Sequence, residues 1–239
     1  MPHAFLALHY WAGAGHEFDL LRPLLGPAAQ LLAPDLPGFG QQAAPAGFDY
    51  SVGAYADWVA AYLHDQRVAD FTLLGHSMGG KIALALAARR PAGLRGLLLL
   101  SPSPPTPEPM TAAARAAALA AYGRPAAAEK TFRTITQQPL PAAQHAAVVA
   151  DNLSSDRAAW DAWLRRGSRE DIAGQLGALA VPCRLLVGAR DRAITPATQR
   201  RCTLPWLPAG TPLAVVPGAG HLLPLEAPAA VADVLRQLV

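Results

Sequence analysis

One stretch constrains this chain more than any other. The apolar run Asp70-Phe71-Thr72-Leu73-Leu74 leads into Gly75-His76-Ser77-Met78-Gly79, and the helix-like run Lys81-Ile82-Ala83-Leu84-Ala85-Leu86-Ala87-Ala88 leads away. A strand that turns at once into a helix holds its tip residue in a strained conformation, with the side chain lifted clear of the sheet. Glycines at 75 and 79 make the reversal sterically possible, because a β-carbon at either place would collide with the chain. The G-x-S-x-G spacing gains its weight from this setting. In an ordinary glycine-rich turn, Ser77 would do no more than cap the helix.

Two other glycine patterns point elsewhere and fail. Gly75 to Lys81 fits G-x-x-x-x-G-K, the start of a phosphate-binding loop. Ile82 then stands where a magnesium-holding Ser or Thr is needed, and the run Gly96-Leu97-Leu98-Leu99-Leu100 ends in Ser101 rather than an acid. Gly13-Ala14-Gly15-His16-Glu17-Phe18 follows a dinucleotide fingerprint only to its second glycine, and Phe18 replaces the third. No cofactor and no metal is expected.

Around the turn, residues 4–9, 30–34, 97–100, 183–188 and 213–216 are short continuous apolar runs, as in strands buried on both faces. Helical patterns lie between them. Residues 17–25 place Phe18, Leu21, Leu24 and Leu25 on one face, and Ser51 caps a helix carrying Val52, Tyr55, Val59 and Tyr62 inward. Further helices are expected at 196–202 and 227–238. The alternation predicts an α/β fold with a mostly parallel sheet of about six strands and helices on both faces. The proline run 101–109 can be neither helix nor central strand. Beyond it, 110–176 shows helical periodicity, broken at Gly123-Arg124-Pro125 and Pro139-Leu140-Pro141. This predicts a helical cap over 104–176, inserted into a core of 1–103 and 177–239.

With 239 residues, 52% hydrophobic and 15% charged, the chain can bury a sizeable core, which excludes disorder. No apolar run approaches the ~20 residues that span a bilayer. The first residues lack the basic segment and cleavage site of a secretory signal. Two cysteines, Cys183 and Cys202, make no disulfide framework, so a cytoplasmic location is expected. The net charge of +3 is mild and the arginines are scattered, so neither nucleic acid nor membrane is an expected partner.

A serine hydroxyl needs a base within hydrogen-bond reach, itself oriented by a carboxylate. His221, in Pro217-Gly218-Ala219-Gly220-His221 after the last strand, is the best-placed base. His9 adjoins the loop after the first strand, His76 points away on the turn, and His3, His16, His64 and His145 read as surface or loop residues. The carboxylate is best taken as Asp191, in Val187-Gly188-Ala189-Arg190-Asp191-Arg192, although its arginine neighbours also suit a surface ion pair. Asp35 is the rival, and its Pro-Gly-Phe-Gly context suits loop closure better. Attack on a carbonyl creates an oxyanion that needs fixed N–H donors. Met78 would supply one and Trp11 the other. Each of these residues falls at the carboxyl end of a strand, where sheets of this kind carry their working groups. Tyr10, Phe132, Trp160 and Trp163 are the expected substrate contacts, with Ile135 and Leu153 nearby in the cap. Lys81 is expected to be a solvated side chain, with a substrate carboxylate or phosphate as its other reading.

On these residues the chain resembles the α/β-hydrolase superfamily over nearly its whole length. The matching stretches are Leu8-His9-Tyr10-Trp11, Asp35-Leu36-Pro37-Gly38-Phe39-Gly40, Gly75-His76-Ser77-Met78-Gly79-Gly80, Gly188-Ala189-Arg190-Asp191 and Gly218-Ala219-Gly220-His221. The resemblance implies Ser77 as nucleophile, Asp191 and His221 as its partners, and Trp11 and Met78 as oxyanion donors. Relatives usually have His-Gly where this chain has His9-Tyr10, and the family's first two strands have no counterpart ahead of residue 4. A similarly early start occurs in the menaquinone-pathway lyase that makes 2-succinyl-6-hydroxy-2,4-cyclohexadiene-1-carboxylate, the SHCHC synthase. The Asp-Leu-Pro-Gly-Phe-Gly stretch is similar to one in the pimeloyl-carrier methyl ester esterase. The resemblance thus implies a serine hydrolase of a small-molecule ester, thioester or lactone, working through an acyl-enzyme. The alternatives are a lyase using Ser77 as base and a non-catalytic receptor on the same fold. An isolated histidine base, with pKa about 6.5, would lose activity below roughly pH 6.

Overall fold

Strands β1 (His3–Leu8), β2 (Ala29–Leu32), β3 (Phe71–His76), β4 (Leu94–Leu100), β5 (Cys183–Gly188) and β6 (Leu213–Val216) form one sheet in the order β2-β1-β3-β4-β5-β6. Every neighbouring pair is parallel. The computed structural model describes residues 3–27 and 29–238. All six residues of β3 are buried, which is why its sequence runs apolar without alternation.

Helices follow in chain order: α1 (Arg22–Leu25), α2 (Val52–Asp65), α3 (Met78–Ala88), α4 (Ala112–Ala120), α5 (Pro125–Ile135), α6 (Ala142–Ser154), α7 (Arg157–Arg165), α8 (Pro196–Thr198), α9 (Leu223–Glu226) and α10 (Pro228–Arg236). Successive strand residues serve opposite faces. Leu6, Leu8, Leu73, Leu97 and Leu99 pack with Val59 of α2 and Ile82 of α3. Phe5, Ala7, Leu74, Leu98 and Leu100 pack with Phe18 and with Val231 and Leu235 of α10. Between β4 and β5 the described residues hold helices α4–α7 and two 3-10 turns, with no strand.

Four helices differ from the sequence expectation, each for a local reason. Residues 17–25 are not one helix but a 3-10 turn, Gly15–Leu21, and then α1, with Leu24 and Leu25 only half-buried. Pro23 has no N–H to continue a helix already under way, and it sits in the first turn of a new one. In α2 the inward residue of the last turn is Leu63, and Tyr62 is half-buried. The stretch 196–202 winds through α8 into a π turn, Gln199–Thr203, and a 3-10 turn, Leu204–Trp206, whose Pro205 again lacks a donor. Ahead of α10, which opens on Pro228, stands the separate short α9.

The strand order reverses at β1. The chain leaves β1 for β2 on one side and returns to β3 on the other, so the loops after β1 and β3 part and open a crevice at their carboxyl ends. There the turn at Ser77 rests against β1. A β-carbon on Gly79 would lie 2.2 Å from the Leu8 carbonyl oxygen, and one on Gly75 would lie 2.5 Å from that of Gly79. Ser77 has φ 52° and ψ −113°, and its side chain does not cap α3. Such a backbone costs a non-glycine residue about 1–3 kcal/mol. Ser77→Gly is therefore expected to raise stability by about 1 kcal/mol, a gain of roughly 2–4 °C in Tm by calorimetry. An unchanged or lower Tm would show that the serine is not strained.

Candidate active site

Four strand ends supply the crevice: β1 carries Tyr10 and Trp11, β3 carries Ser77, β5 carries Asp191, and the loop after β6 carries His221. Asp191 is buried, and its Oδ2 lies 2.8 Å from His221 Nδ1. Its Oδ1 accepts from the N–H groups of Ala193 at 2.8 Å and Ile194 at 2.9 Å. The surface ion pair that Arg190 and Arg192 suggested does not form with Asp191, because both arginines stay exposed while the carboxylate turns inward. Burial alone would raise the Asp191 carboxyl, but the imidazole and the backbone donors outweigh it and hold the pKa below the usual carboxylate value. Burial likewise disfavours a charged His221, yet the Asp191 carboxylate wins and the pKa lies above 6.5. The rival Asp35 closes its own loop, accepting from Gly15 N–H at 2.7 Å and Gln41 N–H at 2.8 Å.

Ser77 and His221 line one cavity of about 190 Å³. Among the described residues no hydrogen bond joins Ser77 Oγ to His221 Nε2. Contacts of this kind commonly shorten only when substrate is bound. Beside Ser77, the N–H groups of Gly79, Gly80 and Lys81 are taken by the carbonyls of His9 (3.2 Å) and Ser77 (2.9 and 3.3 Å). The N–H groups of Met78 and Trp11 have no acceptor among the described residues. Met78 opens α3, so its N–H belongs to the unspent positive end of a helix. A hydroxyl and a carboxylate-oriented imidazole on one cavity wall are groups that attack on a carbonyl can use.

Tyr10, Phe132 and Trp163 line the cavity, as does Ile135, and they are joined by Val148, Asn152, Glu108 and Ile194, which sequence reasoning did not single out. Trp160 requires correction as a substrate contact. It packs behind Trp11, with ring centroids 4.2 Å apart, and donates its Nε1–H to Ala118 O. Leu153 is absent from the lining too. Lys81 is also corrected: it is 0% exposed rather than solvated. The proline run lies over the first turn of α3, where a β-carbon on Gly80 would meet Pro102. Nζ donates to Thr106 O at 3.3 Å, and burial lowers its pKa to about 8.

Tyr10, in the place of the usual glycine, is accommodated because its ring folds over Gly13, where any β-carbon would touch it at 2.4 Å. The ring packs on His76 and, through Val148 of α6 and Leu222, joins that helix to the His221 loop. His9 Nδ1 donates to Tyr10 O at 2.8 Å and Nε2 accepts from Leu36 N–H at 2.9 Å, so His9 is a neutral brace for this loop, with burial lowering its pKa. His76 bridges Glu17 Oε2 at 2.9 Å and the His221 carbonyl at 2.8 Å, all of it buried.

Glu226 is the second brace. Its carboxylate accepts from the N–H groups of Gln137 (2.8 Å), Gln138 (2.9 Å), Gly220 (2.9 Å) and Leu222 (3.1 Å), and His221 N–H donates to Ile135 O at 2.8 Å. The His221 loop is thereby tied to the end of α5. No local pattern announces Glu17 or Glu226, since their partners are backbone groups or side chains far off in sequence.

Known proteins agree with this architecture. A family profile described as "Alpha/beta hydrolase family" matches residues 5–234, and the chain belongs to that family. It is 32% identical over 248 residues to the 2-succinyl-6-hydroxy-2,4-cyclohexadiene-1-carboxylate synthase of Enterobacter sp. (strain 638), covering 97% of this chain and 90% of that protein. A shorter match, 40% identical over 92 residues, covers 38% of this chain and 33% of the pimeloyl-[acyl-carrier protein] methyl ester esterase of Neisseria meningitidis serogroup B (strain ATCC BAA-335 / MC58). Among solved structures, an esterase from Exiguobacterium antarcticum superposes with TM-score 0.87 at 20% identity, over 98% of this chain and 91% of that one, which speaks for the fold alone. Among the described residues no helix is long and apolar enough to cross a membrane.

Two outcomes are expected. By NMR titration the His221 imidazole should show a midpoint above 6.5, and Asp191→Asn should lower it; a midpoint below 6.5 in the unaltered protein would contradict the pairing. Glu226→Gln puts an amide donor against backbone N–H groups and should cost about 2–3 kcal/mol in denaturant unfolding. A loss under ~0.5 kcal/mol would show that the brace is dispensable.

Proposed function

We propose that the protein is a serine hydrolase that cleaves a carboxylic ester, thioester or lactone through Ser77, His221 and Asp191, with residues 104–176 as the cap over its substrate. The observation that carries this reading is the 2.8 Å His221–Asp191 pair on the wall of the cavity that Ser77 shares. Ser77 Oγ attacks the carbonyl carbon and passes its proton to His221 Nε2, while the Met78 and Trp11 N–H groups receive the oxyanion. The tetrahedral adduct collapses as His221 returns the proton to the leaving alcohol, thiol or lactone oxygen. Water, deprotonated by His221, then attacks the acyl-Ser77 ester and releases the acid. Asp191 orients the ring and supports its charged form throughout.

A lyase is the second reading, favoured by the long match to the cyclohexadiene-carboxylate synthase. That product's name carries both a succinyl and a carboxylate group. The cavity here is lined by no Lys or Arg among the described residues, and it holds Glu108 instead. This counts for an uncharged acyl group and for hydrolysis. A mere receptor has no use for a strained serine beside two unspent N–H donors.

The test is hydrolysis of short p-nitrophenyl esters. Ser77→Ala should lower kcat/KM by at least about 10³, and mass spectrometry after an organophosphonate should place the adduct on Ser77. Because the His221 pKa is raised, activity should fall with an acid limb centred above pH 6.5, higher than the sequence alone suggests. Turnover that never acylates Ser77, or a profile flat to pH 5, would overturn the reading.

A further inference from the structure

Two side chains able to carry charge near neutrality line the cavity beside Ser77: His221 and Glu108. Most of the remaining wall is apolar, formed by residues such as Phe132, Val148 and Trp163. Glu108 is the last residue but one of the proline run 101–109, and its backbone is held on both sides. Its N–H donates to Ser168 O at 2.8 Å, and its carbonyl accepts from Met110 N–H at 2.7 Å. Its side chain stands in a wall shared with a neighbouring cavity lined by Pro104, Thr111 and Thr198.

No Lys or Arg forms an ion pair with Glu108 among the described residues. Lys81 lies close enough to be felt, but its Nζ donates to Thr106 O. Nor are the carboxyl oxygens sealed in the protein without a partner, as Glu17 Oε1 is. Burial raises the Glu108 pKa, opposed first by a hydrogen bond from the Ser103 hydroxyl and then by the charges of Lys81, Arg115 and His221. A carboxyl group standing in a largely apolar wall, with no cationic partner and only the Ser103 hydroxyl beside it, keeps acceptor capacity that a group on the cavity side can meet.

We propose that Glu108 selects the substrate: it accepts a hydrogen bond from a hydroxyl, amide N–H or ammonium group on the ester's acyl or alcohol chain, and it turns away esters bearing a second carboxylate. The assignment rests on the Ser77 hydrolase reading for which bond is cleaved, but not for what the cavity recognises. A donor group meets an acceptor already fixed in place, whereas a carboxylate meets like charge in poorly solvating surroundings. Glu108 is therefore a specificity residue that never touches the reacting carbonyl.

The test uses p-nitrophenyl esters of one chain length ending in methyl, hydroxyl, methoxy or carboxylate. The unaltered protein should prefer hydroxyl to methoxy by at least about tenfold in kcat/KM and disfavour carboxylate against methyl by a similar factor. In Glu108→Leu both ratios should fall to about one. In Glu108→Gln, which keeps an acceptor oxygen but loses the charge, the hydroxyl preference should survive and the bias against carboxylate should not. A second arm needs no hydrolysis: calorimetric binding of the matching hydroxyl- and methoxy-ended methyl ketones to Ser77→Ala, with and without Glu108→Leu. If no ester is hydrolysed but the ketone preference depends on Glu108, the hydrolase reading fails and the selectivity assignment stands. If hydrolysis depends on Ser77 and neither ratio responds to Glu108, or the carboxylate ester is preferred, the assignment is overturned.

Discussion

The contact between the turn at Ser77 and the end of β1 is the constraint on which the rest of the structure depends. Gly79 sits so close to the Leu8 carbonyl that no side chain fits between them, and its N–H donates to His9 O. That closeness brings the start of α3, where Met78 stands, beside the loop after β1 that carries Trp11. It also leaves the backbone of Ser77 no relaxed alternative. Local strain here is the cost of convergence, and the buried β1–β3–β4 centre of the sheet is what holds it.

The His221 loop is held differently, by carboxylates that bond its ring and its backbone. His221 sits on a glycine-containing loop that would wander if left alone. Asp191 holds its ring, Glu226 holds the N–H groups on either side, and the Glu17–His76 pair holds its carbonyl. Because Glu226 also bonds Gln137 and Gln138, the loop is joined to the residues just after α5. The position of the His221 loop is thus tied to the residues that follow α5.

The fold was legible because its central strands are short, buried apolar runs and most of its helices bury one face only, so a change of period marks most crossovers. The glycine turn was legible because steric exclusion leaves a residue-specific trace. Misreadings fell where prolines interrupt a plausible period, as at Pro23 and Pro205, or where a distant segment covers a side chain. Lys81 is the clearest case: its position on α3 suggests water, and the proline run of another segment removes it. Trp160 is another, since helical periodicity tells that a tryptophan is buried but not whether it faces a cavity or backs a neighbour.

The sequence by itself determined the class of fold, the sharp turn at Ser77 and which residue types stand at the strand ends, because these follow from short-range sterics and the period of apolar burial. Tertiary structure alone decided the strand order, the 2.8 Å contact of His221 with Asp191, the backbone contacts of Glu226, and the carboxyl group of Glu108 in the cavity wall. Those depend on contacts between residues tens of positions apart. No local pattern encodes such contacts, because their energy exists only once the whole sheet has brought the segments together.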